Sequence, residues 1–234
     1  MPTLLLGASA LNIYAVLLIV GRAVIFRTRL YRPMLWNIWL SILPILILIV
    51  AITVGIGALL ISRPVGYLVL ALCSIIWLLM LPNASYLITE LNLSHRQPED
   101  SVPMWFDIIL VITLAMSGVI NTVINLFTAH TLSALFFYGD YATNYLQPLV
   151  LATLGAVLVL VAFGMYLGRY LRFNSWDLRH PVSFVKKLGE HFSTRENLLA
   201  SGGFTLTYAI FLALIYLVTA GPLIHFMVRF ESLG

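Results

Sequence analysis

The sequence predicts an all-α integral membrane protein with about six transmembrane helices. Hydrophobic residues make up 61% of its 234 positions, charged residues make up 9%, and the mean hydropathy is +1.00, values outside the range of water-soluble domains. Runs of twenty or more uncharged residues recur. Each run can cross a hydrocarbon core of about 30 Å at about 1.5 Å per residue. The apolar positions do not alternate with a period of two, which favours helices over a membrane barrel.

The six predicted spans cover residues 3–20, 35–61, 65–89, 105–128, 146–171 and 198–227. The first span resembles a secretory signal in length, but no basic segment precedes its apolar run and its arginines follow the run instead. We therefore expect it to be a retained helix. Because no linker, repeat or low-complexity tract separates the spans, residues 1–234 are predicted to form a single transmembrane helical domain.

The distribution of basic residues predicts the orientation. Eleven of the thirteen lysines and arginines fall in segments 21–34, 90–104 and 169–197, and only Arg63 and Arg229 fall on the other side. Since basic residues collect in cytoplasmic loops, we expect those three segments in the cytoplasm and both termini outside. The net charge of +4 is thereby explained without a nucleic-acid partner.

A short amphipathic cytoplasmic helix is predicted at residues 181–192, PVSFVKKLGEHF. Its apolar residues share one side, whereas Lys186, Lys187 and Glu190 occupy the other. This pattern is typical of a helix that lies among lipid headgroups, with its lysines drawn to anionic lipid. Membrane lipids are therefore the expected partners, and nothing in the sequence identifies a protein partner.

Local signals predict where helices start and stop. Pro82 fits a kink or a restart in the third span, and Pro222 with Gly221 predicts a break or kink in the last. STRE at 193–196 has capping-box spacing, so Ser193 is the expected cap of the last helix. Three histidines are expected at the surface or at the membrane interface: His130, His180 and His191.

Polar residues gather at the predicted cytoplasmic ends of the third, fourth and fifth spans. They are Asn83, Tyr86, Glu90, Asp107, Arg169, Arg172, Asn174 and Asp177. Ionised groups at the edge of hydrocarbon are costly unless they are paired or hydrated, so acids and arginines at equal depth should meet. We therefore predict a polar cluster of Glu90, Asp107, Arg169, Arg172 and Asp177, with Asn83 and Tyr86 as hydrogen-bonding members.

Such a cluster would suit binding of an anionic group or a divalent cation. Arg169, Arg172, Asn83, Tyr86 and Asn174 are the candidates for binding a headgroup or phosphate. The candidate acid–base residues are Asp107, Asp177 and Glu90. The same three acids, together with His95, are the candidate metal ligands. Glu90 and His95 are spaced i, i+5, so a loop would have to bring them together.

Two other interpretations stay open. The charged cluster can be a structural network that fixes helix packing. The protein can also be a small transporter or an accessory subunit in which the cluster forms a gate. In that case Thr113, Ser117, Asn121 and Asn125, four residues apart in the fourth span, would line a hydrated path; the alternative is that they form hydrogen bonds between helices.

No familiar catalytic signature occurs, so the sequence leaves open whether the protein is an enzyme.

Four blocks of the sequence resemble a family of bacterial membrane proteins that is catalogued only as a domain of unknown function. The blocks are LWNIWLSILP at 35–44, LPNASYLITEL at 81–91, WFD at 105–107 and GRYLRFNSWD at 168–177. The resemblance implies a small multi-pass protein of the bacterial plasma membrane, with no known activity. It places these residues at motif positions: Asn37, Pro82, Asn83, Tyr86, Asp107, Arg169, Arg172, Asn174, Trp176 and Asp177. The chain departs from the pattern at Glu90, where aspartate is expected, and at His95, two residues after the expected histidine.

Overall fold

The computed structural model describes residues 2–90, 102–171 and 181–232, and every regular element in these ranges is helical. The helices are α1 (Pro2–Ile25), α2 (Arg32–Ile61), α3 (Arg63–Met80), α4 (Pro82–Tyr86), α5 (Met104–Tyr138), α6 (Pro148–Tyr166), α7 (Pro181–Phe192) and α8 (Arg195–Glu231). Two short 3₁₀ segments and one π-helical turn accompany them: Leu87–Glu90, Ala142–Leu146 and Leu167–Leu171.

Among the described residues, six helical runs are long and apolar enough to cross a membrane: Thr3–Ile25, Arg32–Ile61, Arg63–Thr89, Met104–Tyr138, Pro148–Leu171 and Arg195–Glu231. They confirm the predicted fold class, and the chain is a multi-pass membrane protein. The 35 residues of α5 and the 37 of α8 measure about 52 Å and about 55 Å at the usual helical rise. Since the hydrocarbon core is only about 30 Å thick, both helices extend well beyond it.

The third span restarts at Pro82, as the sequence predicts. α3 ends at Met80, and α4 begins at Pro82, whose ring nitrogen carries no hydrogen to donate. The backbone then tightens into the 3₁₀ segment Leu87–Glu90. On a continuous α-helix the i, i+7 spacing of Asn83 and Glu90 would align them on one face. Because a 3₁₀ helix has about three residues per turn, this alignment does not follow from the sequence spacing here.

The structure divides into two compact units, Met1–Asn125 and Leu126–Gly234, with the division falling inside α5. In the N-terminal unit, α2 packs against α1, α3 and α4. Its core consists of Ala15, Leu18, Ile19, Met34, Ile38, Leu87, Val102, Phe106, Leu110, Val111 and Leu114. These residues come from α1, from α2, from the segment just after α4, and from α5 with the residues just before it, so four separate stretches of chain meet around one apolar cluster.

In the C-terminal unit, α6 packs against α8, and α7 contacts α8. The amphipathic helix predicted at residues 181–192 is confirmed as α7, with Lys186, Lys187 and Glu190 exposed.

The predicted cap of the last helix is wrong by one residue. Thr194, with extended backbone, accepts a hydrogen bond from the Asn197 N–H at 3.4 Å, and it is the residue before α8. Ser193 instead donates to the Glu190 carbonyl at 2.7 Å, which closes α7. Of the break or kink predicted at Pro222, the break is wrong, because α8 continues through Pro222 to Glu231. A long membrane helix tolerates the loss of one backbone hydrogen bond at proline.

Candidate functional site

Asp107 lies in the first turn of α5 and pairs with Arg22 in the last turn of α1. The Arg22 Nε donates to Asp107 Oδ1 at 2.8 Å, and the two side chains are 7% and 0% exposed. An acid near a helix N-terminus and a base near a helix C-terminus are each favoured by the helix dipole. A buried ion pair still needs close geometry and further hydrogen bonds to offset its desolvation. The helix ends and the short distance supply these conditions.

Thr28 ties the connection between α1 and α2 to this pair. Its Oγ1 accepts a hydrogen bond from Arg22 Nη1 at 3.1 Å and donates one to the Arg22 carbonyl at 3.1 Å. The neighbouring Arg27 has φ of +54°, in the left-handed region that a non-glycine residue seldom adopts. The turn is therefore held in a defined conformation by contacts to the ion pair.

Three exposed arginines lie in this connection and at the first residue of α2. Arg27, Arg29 and Arg32 are exposed, whereas Arg22, a few positions earlier, is buried. We call residues 27–32 the arginine loop. It combines a buried cation that anchors the backbone with exposed guanidinium groups, which are the side chains best suited to bidentate contact with phosphate or carboxylate.

An aromatic pair lies beside the ion pair in sequence. The rings of Phe26 and Phe106 meet edge to face, with centroids 5.1 Å apart. Phe106 is buried and precedes Asp107, and Phe26 immediately follows α1. The apolar core thus reaches Phe106, next to Asp107, and Phe26, four residues after Arg22. This packing accounts for the low exposure of both charged residues.

A chain of polar side chains crosses the interior of the N-terminal unit. Asn12 of α1 and Asn121 of α5 exchange two side-chain hydrogen bonds, at 3.0 and 3.1 Å. Asn121 also donates to Ser41 Oγ of α2 at 2.9 Å, and Ser41 donates to the Ala84 carbonyl of α4 at 3.0 Å. One continuous series of hydrogen bonds therefore joins four helices.

Two further contacts join α5 to the third span. The hydroxyls of Ser85 and Thr122 are 2.8 Å apart, and Trp77 Nε1 donates to Asn125 Oδ1 at 2.9 Å. Gly118 of α5 allows the close approach, because a Cβ there would lie 2.9 Å from the Ala84 carbonyl oxygen. α4 packs directly against the backbone of α5 at this point.

The polar stripe on α5 is buried. Thr113, Ser117, Asn121 and Asn125 are at most 6% exposed. Asn121 and Asn125 bond to other helices, and Ser117 donates to the Leu114 carbonyl of its own helix at 2.8 Å. These bonds support the interpretation that the stripe forms hydrogen bonds between helices. They also use donors and acceptors that would have to bind water in a hydrated path.

The structure places only part of the predicted acid and arginine cluster. Asp107 lies in the N-terminal unit and Arg169 in the C-terminal unit, where it is half-buried in the π-helical turn. Of Glu90 only the backbone is described, at the end of its 3₁₀ segment. Four further candidates lie outside the described residues: His95, Arg172, Asn174 and Asp177. The complete cluster stays a prediction.

The two predicted amide and phenol members of the cluster make local contacts. Asn83 Nδ2 lies 3.7 Å from Met80 Sδ, and the Tyr86 carbonyl accepts from Thr89 Oγ1 at 2.7 Å. Both side chains are half-buried. No group of three or more His, Cys, Asp or Glu side chains within the described ranges is placed to hold a metal ion, so the divalent-cation site also stays a prediction.

Arg22 was not predicted as a site residue, because the first span was ended at residue 20. The sequence does carry a signal: the apolar run resumes after Arg22 with Ala23, Val24, Ile25 and Phe26. An arginine with apolar residues on both sides lies within the helix rather than after it, and then needs a partner.

His130 was expected at the surface, and this expectation is wrong. Its side chain is buried in the C-terminal unit at 3% exposure. His130 Nε2 lies 2.9 Å from the Tyr145 carbonyl oxygen, which can only accept, and Nδ1 lies 2.7 Å from the Tyr216 hydroxyl. The imidazole therefore carries its proton on Nε2 when neutral and accepts from Tyr216. Two polar partners distant in sequence allow this histidine to be buried.

The helices and the buried pair define a multi-pass, all-helical membrane protein whose interior is held by polar contacts. The chain belongs to the family described as Protein of unknown function (DUF1361), whose profile matches residues 36–218. This confirms the predicted family. The matched range includes Asp107 and begins after α1, which carries Arg22. No curated protein and no solved structure matches the chain.

Proposed function

We propose that this membrane protein binds an anionic group, a phospholipid headgroup or a phosphate, at the membrane face where α1 ends and α5 begins. The observation that supports the proposal is the buried Arg22–Asp107 pair, tied through Thr28 to the arginine loop. The ion pair and Thr28 fix the loop backbone. The exposed guanidinium groups of Arg27, Arg29 and Arg32 then bind the anion.

The buried and the exposed arginines have different roles. Arg22 is enclosed and its Nε is engaged by Asp107, so it acts as an anchor. A preorganised loop binds an anion with a smaller loss of conformational entropy than a flexible basic segment does. By the positive-inside rule this face is cytoplasmic, which is also where anionic lipids give the surface a negative potential.

The residues of the predicted polar cluster are proposed in addition, from the sequence alone. Arg169, Arg172, Asn174, Asn83 and Tyr86 are proposed to contribute to binding of the anionic group. Glu90, Asp177 and His95 are proposed to hold a divalent cation, with the two acids as acid–base candidates should the site prove catalytic. The burial of Asp107 and its bond to Arg22 favour an orienting role for that carboxylate over proton transfer.

The experiment compares lipid retention by three forms of the protein. The full chain is purified in mild detergent, titrated with phosphatidylglycerol or phosphatidylcholine, and examined by native mass spectrometry. In one form Arg27, Arg29 and Arg32 are all replaced by glutamine. At about 1 kcal/mol per basic residue, its preference for phosphatidylglycerol should fall on the order of a hundredfold. In the control form, Arg63 and Arg229, which are also exposed, are replaced by glutamine and the preference should persist.

A lysine form separates binding from membrane topology. Replacing the three loop arginines by lysine keeps the charge that sets orientation but removes the planar fork that contacts phosphate. We expect intermediate retention of phosphatidylglycerol. Adding inorganic phosphate distinguishes the two ligand sources, because it displaces the lipid only if the headgroup phosphate is what the loop recognises. Equal retention in the wild-type, glutamine and lysine forms would contradict the proposal.

A further inference from the structure

The C-terminal unit contains a groove of about 590 Å³ on its outer surface. Its apolar lining comes from three helices: Val159 and Phe163 of α6, Phe192 of α7, and Leu198, Gly202 and Leu206 of α8. Leu198 and Leu206 are more than half exposed on candidate membrane spans, so the groove opens toward the hydrocarbon rather than toward water. Its volume lies in the range of small-molecule binding sites.

The groove follows one stretch of α8 near the helix start. Its lining runs from Leu198 to Leu206, eight steps of about 1.5 Å or about 12 Å along the axis. That is less than half of the roughly 30 Å hydrocarbon thickness. Because α8 begins at Arg195, the groove lies near the N-terminal end of this span. A groove of this length matches the part of an acyl chain nearest the headgroup.

The amphipathic helix α7 is fastened at the mouth of this groove. The Tyr166 hydroxyl of α6 lies 2.8 Å from His191 Nε2, and Asn197 Nδ2 donates to the His191 carbonyl at 2.8 Å. The rings of Phe163 and Phe192 stack with centroids 6.1 Å apart. The last turn of α7 is thus joined to both α6 and α8, directly beside the lining residue Phe192.

The other end of α7 has the features of a headgroup-binding surface. Lys186 and Lys187 are exposed, and Glu190 is the acid on the same side, 3.8 Å from Lys186. Val182 and Val185 are 83% and 64% exposed, so the apolar side of α7 is open to lipid. A helix with one apolar side and one basic side lies in the headgroup layer, with its lysines beside the lipid phosphates.

From these features we infer that the groove between α6 and α8 binds one acyl chain of an anionic glycerophospholipid, with the lipid phosphate at Lys186 and Lys187 of α7. The apolar lining holds the chain. The basic side of α7 gives the preference for an anionic headgroup. This site involves none of the residues of the arginine loop and does not depend on the function proposed above.

Two neighbouring glycines provide a matched test. A Cβ at Gly202 or at Gly203 would meet no atom within 4 Å, so both positions accept a side chain without strain. Only Gly202 lines the groove. Gly202→Phe should fill it and Gly203→Phe should not, and both changes replace glycine by a better helix former.

The measurement uses the full chain in nanodiscs that contain phosphatidylglycerol with a diazirine in its acyl chain. After irradiation, mass spectrometry quantifies the lipid adducts on peptides that cover residues 198–206. We expect adducts to concentrate there in the wild type, to fall at least about tenfold in Gly202→Phe, and to be unchanged in Gly203→Phe. Adducts spread evenly over all exposed helices, or unchanged by Gly202→Phe, would overturn the inference.

A further variant tests the basic side of α7. Replacing Lys186 and Lys187 by glutamine should lower the preference for phosphatidylglycerol over phosphatidylcholine by about fivefold per lysine. If the wild type shows no preference for phosphatidylglycerol, Lys186 and Lys187 do not bind the lipid phosphate. Replacing the three loop arginines by glutamine should leave these adducts unaltered, which separates this site from the arginine loop.

Discussion

Replacing Arg22 by methionine should destabilise the protein strongly. The change keeps a long side chain but removes a cation that contacts Asp107, whose carboxylate is 0% exposed. Breaking a buried ion pair by removing one partner typically costs about 3–5 kcal/mol, because the remaining charge loses an interaction that offsets its desolvation. We expect a loss of that size in the free energy of unfolding. Asp107→Leu should cost a similar amount for the converse reason.

The double variant Arg22→Met with Asp107→Leu should recover most of this loss. Apolar residues of similar volume can replace a buried pair at little cost. The assay is unfolding of the purified protein in mixed micelles, followed by circular dichroism, with the two single variants, the double variant and exposed Arg63→Met as control. Arg63→Met should change stability by less than about 0.5 kcal/mol. Additive losses, or single variants as stable as the control, would refute the reasoning.

Three other predictions concern packing and hydrogen bonds. Asn121→Leu removes both side-chain hydrogen bonds to Asn12 and should cost about 1–3 kcal/mol in the same unfolding assay; unchanged stability would exclude the hydrogen-bonded chain. Gly118→Ala forces a Cβ to 2.9 Å from a carbonyl oxygen and should cost about 1–3 kcal/mol, whereas Gly155→Ala, with open space around it, should stabilise by about 0.5–1 kcal/mol. His130→Phe should cost about 1–3 kcal/mol by leaving the Tyr216 hydroxyl unpaired, and recovery on adding Tyr216→Phe would identify that bond as the cause.

The sequence predicts the membrane helices well because hydropathy acts locally. Each span needs enough consecutive apolar residues to cross the bilayer, and this requirement is visible in any window of the chain. The restart at Pro82 and the amphipathic helix α7 are predictable for the same reason, since a missing N–H and a helical periodicity are local properties.

Pairing between helices is not local, and here sequence reasoning failed or stopped short. Arg22 and Asp107 are 85 positions apart, and nothing in either segment specifies the other. His130 is buried by partners 15 and 86 residues away. At the start of α8, Ser193 and Thr194 are equally good capping residues by type, and packing of the preceding helix decides between them.

The candidate site was half predicted. Asp107 was identified because an acid just inside an apolar run needs a partner. The sequence predicts partners on the fifth span, Arg169 and Arg172, because they are expected at the same depth as Asp107. The structure adds Arg22 on the first span and the turn at Thr28. Their position at the end of the first span would have placed both at the same membrane face as Asp107.

The most direct test of the proposed anion site is lipid retention by the double variant Arg22→Met with Asp107→Leu. It regains stability but lacks the guanidinium that holds Thr28, so the arginine loop keeps its three exposed arginines without its anchor. In native mass spectrometry we expect folded protein whose preference for phosphatidylglycerol over phosphatidylcholine falls to that of the form with all three loop arginines replaced by glutamine. Folded protein with the full wild-type preference would contradict the claim that the buried pair organises the loop for binding.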